Sequence, residues 1–160
     1  VVVTGMGVAA PNAHGLDNFE KALREGKSGI RLIPQLDEMK FGCQIAGVPE
    51  NFEEIRKSYF DREKLMSIND NIGYASVSAV DAWRDAGFDL TDGDDETVDW
   101  DTGVIAGSGI GGMDTIALNV VPTINEGRVR RLGSRVVEQV MNSGTSARIA
   151  GLIGAGNQVT

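Results

Sequence analysis

The chain has 160 residues, 41% of them hydrophobic and 24% charged, enough for one domain with its own core. A net charge of −8, from 15 basic against 23 acidic residues, argues against a general nucleic-acid binder, which needs a basic face. One Cys and one His exclude an internal disulfide and disfavour a metal site on soft ligands, while no apolar run approaches the roughly 20 residues of a membrane span.

Val1-Val2-Val3-Thr4 predicts a short strand of the kind buried inside an α/β sheet, turned by Gly5-Met6-Gly7. Pro11-Asn12 marks a loop that holds His14, read as a solvated loop residue. Leu16, Phe19 and Leu23 share one face of a helix that Asp17 caps or enters and Gly26 ends. Ser28-Gly29-Ile30 leads into an extended piece. Cys43 to Val48 predicts a strand closed by Pro49, with Cys43 as a small core or strand residue. Asn51 to Ser58 predicts a short helical turn. From Asp61 the longest helical signal begins, with Ile68, Ile72, Ala75, Ala79, Ala82 and Trp83 spaced by three and four, and it ends at Ala86-Gly87. Its small residues, Ala75, Ser76, Ser78 and Ala79, predict close packing on a neighbour. The acidic run from Asp89 to Asp99 reads as a solvated connector, because it lacks the Glu and the following helix of a calcium loop.

Thr102-Gly103-Val104-Ile105-Ala106 predicts a buried strand running into Gly107-Ser108-Gly109-Ile110-Gly111-Gly112. Four glycines in six residues leave little side chain, so another segment or a ligand should pass close to this backbone. A helix through Met113 and Val121 follows. Gly107, Gly109 and Gly112 fit G-x-G-x-x-G, the dinucleotide fingerprint, which needs a second strand ending in an acid about 20 residues on. Glu126 sits near that distance, but Pro122 and Gly127 interrupt the approach. Beyond it lies the one basic cluster, Arg128, Arg130 and Arg131. Ser134 then reads as the N-cap of a helix through Val136, Val137 and Val140. Ser143-Gly144-Thr145-Ser146 interrupts, and a second helix runs to about Ile153, stopped by Gly154-Ala155-Gly156. Asn157 to Thr160 is extended.

Three of these motifs occur together in the order and spacing of β-ketoacyl synthases: Val1-Val2-Val3-Thr4-Gly5-Met6-Gly7-Val8, Gly26-Lys27-Ser28-Gly29-Ile30, and Gly107-Ser108-Gly109-Ile110-Gly111-Gly112. The chain resembles the N-terminal portion of that family along most of its length. The resemblance implies an α/β, thiolase-like layered fold, of which residues 1–160 form the N-terminal half, with a mixed sheet covered by helices. It also implies that the nucleophilic cysteine and two assisting histidines lie beyond Thr160. No residue of this chain matches them, and none pairs a nucleophile with a base, so this piece alone should not catalyse condensation. Its sheet and pocket surfaces should depend on a second half and on a dimer partner.

For the site, the resemblance places residues 107–112 beside the active-site entrance. Ile110 matches the position of an isoleucine that gates the acyl channel in fatty-acid elongating members; a plain hydrophobic plug is the simpler reading. Val136 and Val137 fall where those members carry bulky aromatics lining the partner subunit's acyl pocket. Here Val-Val is followed by Glu138 and Gln139, which implies a longer or wider pocket. Arg128, Arg130 and Arg131 match a cluster that docks the acidic acyl carrier protein, against the reading of a solvated basic turn. Arg62 and Lys64 begin a second such cluster, with Met66 and Ser67 standing where basic residues are usual.

The implied function is β-ketoacyl-(acyl-carrier-protein) synthesis, a decarboxylative Claisen condensation of an acyl thioester with malonyl-carrier in fatty-acid or polyketide-type biosynthesis. No metal or organic cofactor is implied, since phosphopantetheine arrives on the carrier. The implied setting is cytoplasmic, as a homodimer or a heterodimer, with no nucleic acid and no membrane span. A chain-length-factor subunit, similar in fold but without the nucleophile, is the alternative, and a dinucleotide-binding domain a distant one.

Overall fold

The structure, a computed structural model, describes residues 1–91 and 97–160; residues 92–96 of the acidic connector expected from Asp89 to Asp99 lie outside the described residues. Its organising element is helix α5 (Asp70–Asp85). The expected helix from Asp61 is split in two, because the sequence supplies two caps. Asp61 accepts from the Lys64 amide and starts α4 (Arg62–Leu65). Asn69 accepts from the Ile72 amide and starts α5 four residues later. Gly87, at φ 84°, follows its C-terminal end.

One face of α5 makes the core. Val77 and Val80 are fully buried and meet Ile149, Ala150, Leu152 and Ile153 of α9 (Ser143–Ile153), together with Phe52, Phe60, Ile68 and Val104. Another face, lined by Ser78, Ala82 and Ala86, receives the N-terminal segment. A Cβ on Gly7 would collide with the Ser78 carbonyl oxygen, and one on Gly5 with the Ala82 carbonyl oxygen. Of the small residues predicted to permit close packing, Ser78 faces this glycine backbone, while Ala75 and Ala79 pack on the core shared with α9.

Around this pair the elements are short. Strands β1 (Ala9–Ala10) and β2 (Ala13–His14) form a hairpin that leads into α1 (Leu16–Arg24). Asp17 enters the first turn of α1, and the N-cap is Gly15. Strand β3 (Ile30–Leu32) pairs antiparallel with β4 (Ile45–Gly47), in the register Leu32↔Ile45. Between them lies α2 (Pro34–Glu38), which the sequence reading missed despite Pro at its first position. Helix α3 (Phe52–Tyr59) matches the short turn expected there.

Several expectations fail. Val1 to Thr4 forms no strand: Val1, Val2 and Val3 are exposed, and no described residue pairs with their backbone. Cys43 lies outside β4 and is exposed, not core. His14 is no solvated loop residue. It belongs to β2, its side chain is 24% exposed, and its Nε2 lies 3.0 Å from the Tyr59 hydroxyl. The break expected at Ser143 to Ser146 falls instead at Met141 and Asn142, between α8 (Arg135–Val140) and α9. The expected central strand is a single parallel bridge, Val104↔Val159, extended by hydrogen bonds from the Asn157 amide to the Thr102 carbonyl and from the Ala106 amide to the Thr160 carbonyl. Only Val104 of this stretch is buried; Ile105 points to solvent. Parallel strands bury both faces only when other strands and helices cover them, and among the described residues the mixed sheet consists of these small pieces.

Candidate functional site: the glycine loop and its supports

Residues 107–112 leave the Val104 bridge and end where Gly112 opens α6 (Met113–Thr115). A π-helical turn (Ile116–Val120) and α7 (Val121–Asn125) continue it, so the expected helix forms. Gly112 has φ 65°, a left-handed conformation that suits glycine, and a Cβ there would lie 2.5 Å from the Gln139 carbonyl oxygen. A Cβ on Gly111 would lie 3.0 Å from Asn142 Oδ1. The close approach predicted from the glycines is thus made at the downstream end, by the α8–α9 junction. At Gly107 and Gly109 it is not: no described atom lies within 4 Å of a Cβ built there. Between them the Ser108 hydroxyl donates to the Ile110 carbonyl at 3.0 Å, folding the loop on itself. Ile110 is 67% exposed.

The dinucleotide alternative needs a strand ending near Glu126. Residues 126–128 instead turn into a 3-10 helix (Val129–Arg131). That context is missing.

Val136 and Val137 stand on α8, whose C-terminal end abuts Gly111 and Gly112; Val136 is half-buried and Val137 exposed. Ser134 is the N-cap of α8, as expected, although its hydroxyl makes no cap hydrogen bond. Exposed apolar side chains lie in the loop and downstream of it in sequence: Ile110, Met113, Leu118, Val137 and Met141. The loop meets the C-terminal end of α8 at Gln139 and Val140 and the following Asn142, not Val136 or Val137.

The two basic clusters stay apart. Arg128, Arg130 and Arg131 are exposed around the 3-10 helix. Arg128 pairs with Glu126, and among the described residues Arg130 and Arg131 have no acidic partner. Arg62 and Lys64 lie on α4, with Lys64 Nζ 3.4 Å from Asp61. The sequence reading missed two further cations here. Arg135 and Arg148 line the same depression as Lys64, and Arg135 Nη1 lies 3.6 Å from Met66 Sδ. Arg148 donates to the Ser67 hydroxyl at 2.6 Å and lies 3.8 Å from Glu138. Only tertiary structure brings residues 80 positions apart into one patch, so no local signal announced them.

A cleft of about 340 Å³ lies between α5, α8 and α9, lined by Ile72, Met141, Ala147 and Leu152 with Lys64 and Arg148. Neither the glycine loop nor Val136 and Val137 line it. Close to the loop, the Asp70 amide donates to Asp114 Oδ2 at 2.9 Å. Burial, and then the Asp114 charge, push the Asp70 carboxyl above its ordinary range. Among the described residues no group of His, Cys, Asp and Glu could hold a metal ion, and no helix is long and apolar enough to cross a membrane.

The family described as β-ketoacyl synthase, N-terminal domain, matches residues 1–157. The chain belongs to the β-ketoacyl synthase family. Among curated relatives, the 3-oxoacyl-[acyl-carrier-protein] synthase 2 of Coxiella burnetii is 32% identical over 127 residues, covering 79% of this chain and 29% of that protein. The Vibrio harveyi protein of the same name is 34% identical over 116 residues, covering 72% of this chain and 26% of its own length. The chain therefore spans under a third of these relatives. Two solved structures share its fold over 99% of the chain. They are the ishigamide ketosynthase/chain length factor (TM-score 0.80, 24% identity, 38% of that chain) and a β-ketoacyl synthase from Burkholderia phymatum (TM-score 0.75, 25% identity, 38% of that chain). The fold is accordingly the thiolase-like one of ketosynthases, and the small sheets described above are its N-terminal part.

Proposed function

We propose that this chain forms the gate-and-docking part of a β-ketoacyl-(acyl-carrier-protein) synthase. The observation that carries the reading is the match of residues 1–157 to the family, and the packing of the glycine loop against the end of α8 is compatible with it. In the proposed reaction a cysteine thiolate attacks an acyl thioester, forming a new C–S bond and releasing the carrier thiol. Malonyl-carrier then loses CO₂. The resulting α-carbanion attacks the acyl-cysteine carbonyl, the C–C bond forms, and the C–S bond to cysteine breaks.

This chain supplies no nucleophile for those steps. Cys43 is exposed, and its only described partner is the Ile45 carbonyl at 3.6 Å. In this reading the cysteine and its histidines belong to the part of the whole protein that corresponds to the relatives' length outside the match, which covers 29% of the Coxiella burnetii protein. What the chain contributes is the acyl entrance, through residues 107–112, and carrier docking. Arg130 and Arg131 are free for an acidic partner, and Arg135 beside Met66 brings a cation to a place where the sequence lacks one. Exposed Val1, Val2, Val3 and Ile105 support burial of this half against further parts of the protein and a dimer partner.

The deciding experiment incubates the full-length protein with acyl- and malonyl-carrier and follows acylation and β-ketoacyl product by mass spectrometry. A covalent acyl adduct on one cysteine, with product and CO₂ formed, supports the synthase. Product formed only when a second ketosynthase is added, with no adduct on this chain, replaces it by the chain-length partner.

A further inference from the structure

Gln139 lies at a junction that the site residues named above do not explain. Its side-chain amide bridges two segments 49 positions apart: Nε2 donates to the Met66 carbonyl at 3.2 Å, and Oε1 accepts from the Thr115 hydroxyl at 3.3 Å. Its backbone carbonyl accepts from Asn69 Nδ2 at 2.8 Å, and the same oxygen lies against the bare Cα of Gly112. Thr115 is buried, so its hydroxyl has no water as a ready substitute for the Gln139 amide, whereas Met66 is exposed. The orientation of the amide is fixed by chemistry. The Met66 carbonyl can only accept, so the nitrogen must face it, leaving the oxygen for Thr115.

The consequences run in two directions. Met66 and Asn69 belong to the stretch between α4, with Arg62 and Lys64, and the N-cap of α5. Gly112 and Thr115 are the downstream anchor of the loop that displays Ile110. Upstream, Ala106 just before the loop is held by the Thr160 carbonyl, and within residues 107–110 the described side-chain contacts are those of Ser108, to the Ile110 carbonyl and at 3.4 Å to Asn71. Gly107 and Gly109 touch no described segment. Between these two held ends, the described packing against the loop backbone lies on the Gln139 side, at Gly111 and Gly112. A glutamine is suited to this task because one planar amide offers a donor and an acceptor in opposite directions.

We propose that Gln139 is a positioning residue that holds the downstream anchor of the glycine loop in register with the 62–69 docking segment, and so sets how the loop admits acyl chains. The inference deepens the synthase reading above and rests on it for the meaning of "admits". Its structural half, the clamp on residues 107–116, is independent of any activity.

The test uses the full-length protein and four variants: Gln139→Met, which keeps the shape and loses both bonds, Gln139→Ala, Thr115→Val and Thr115→Ser. The first readout is amide hydrogen exchange over residues 107–116. The second is the ratio of kcat/KM for a long and a short acyl-carrier. Losing one such bond should accelerate exchange roughly 2- to 10-fold in Thr115→Val, Gln139→Met, which loses both, should accelerate it at least as much, and the chain-length ratio should change to a similar extent. Thr115→Ser, which retains the hydroxyl, should restore both to near wild type. Exchange within twofold of wild type in both Gln139→Met and Thr115→Val overturns the clamp. Faster exchange with an unchanged chain-length ratio overturns the gating role. If Gln139 variants fail to fold, the contrast between Thr115→Val and Thr115→Ser decides the matter. A wild-type protein without condensing activity would sink the synthase reading, and hence the gating role, while the exchange data still judge the clamp.

Discussion

Tyr59→Phe removes one oxygen from a junction of three elements. The Tyr59 hydroxyl, at the end of α3, donates its single proton to Asp81 Oδ1 on α5 at 2.6 Å. The 3.0 Å contact to His14 Nε2 must then be made by a proton on that nitrogen, with the Tyr59 oxygen accepting. In neutral His14 this leaves Nδ1 bare, and it is buried without a partner. The variant loses a hydrogen bond to a charged acceptor, worth about 1.5–3 kcal/mol, and leaves the His14 N–H facing a phenyl ring. Asp81 is 21% exposed, so water recovers part of this, and a loss of about 2 kcal/mol is expected. Urea titration of the full-length protein with and without the substitution measures it. A pH series supplies a second reading. Burial first, then the hydrogen bond and charge of Asp81, push the Tyr59 phenol above its ordinary value of 10.0. The folded state therefore holds this proton more tightly than the unfolded one. The corresponding stability is complete below pH 10.0 and is lost as the pH rises towards the folded value, so wild type should weaken in alkali while Tyr59→Phe lacks that component. A loss below about 0.5 kcal/mol, or parallel alkaline profiles, would refute the network.

Gly7→Ala should destabilise by about 1–3 kcal/mol or more in the same titration, since its Cβ would also lie 2.7 Å from the Ala82 amide nitrogen and α5 would have to shift; an unchanged midpoint would show that the N-terminal segment does not dock there. Asp70→Asn should stabilise slightly at pH 7, by ~0.5 kcal/mol or less given its partial exposure. The raised Asp70 carboxyl gives wild type a contribution that is full below pH 3.8 and lost as pH climbs through the folded value, and the variant should lack that acid-side gain. Arg130→Glu with Arg131→Glu should slow association of the full-length protein with an acidic carrier at low ionic strength, an effect that stopped-flow measurements should see fade with added salt; salt-independent rates would remove these residues from docking.

How far the sequence speaks follows from the range of each interaction. Helix ends are legible because their signals are local. Gly87 follows the end of α5, and Gly154 stops α9 at φ 70°. Failures occur where a neighbour decides. Val1-Val2-Val3-Thr4 has the composition of a strand, but a strand exists only beside another, and no described residue offers one. The pair Asp61 and Asn69 shows a different loss: apolar spacing runs straight through both, and only their side-chain bonds to the Lys64 and Ile72 amides reveal two helices where periodicity suggests one. For the site, glycines 107 to 112 were conspicuous, yet their pattern fitted two chemistries, and the discriminating fact is distant. Gly112 needs its missing side chain because Gln139, 27 residues later, brings a carbonyl against it. A phosphate-binding loop keeps its glycines bare for a ligand; here the buried pair, Gly111 and Gly112, is bare for another part of the chain. That difference separates a loop packed on the end of α8 from a nucleotide cradle, and it points to Gln139, which stands in the Glu138-Gln139 departure from the family pattern, as the residue on which the proposed clamp bears.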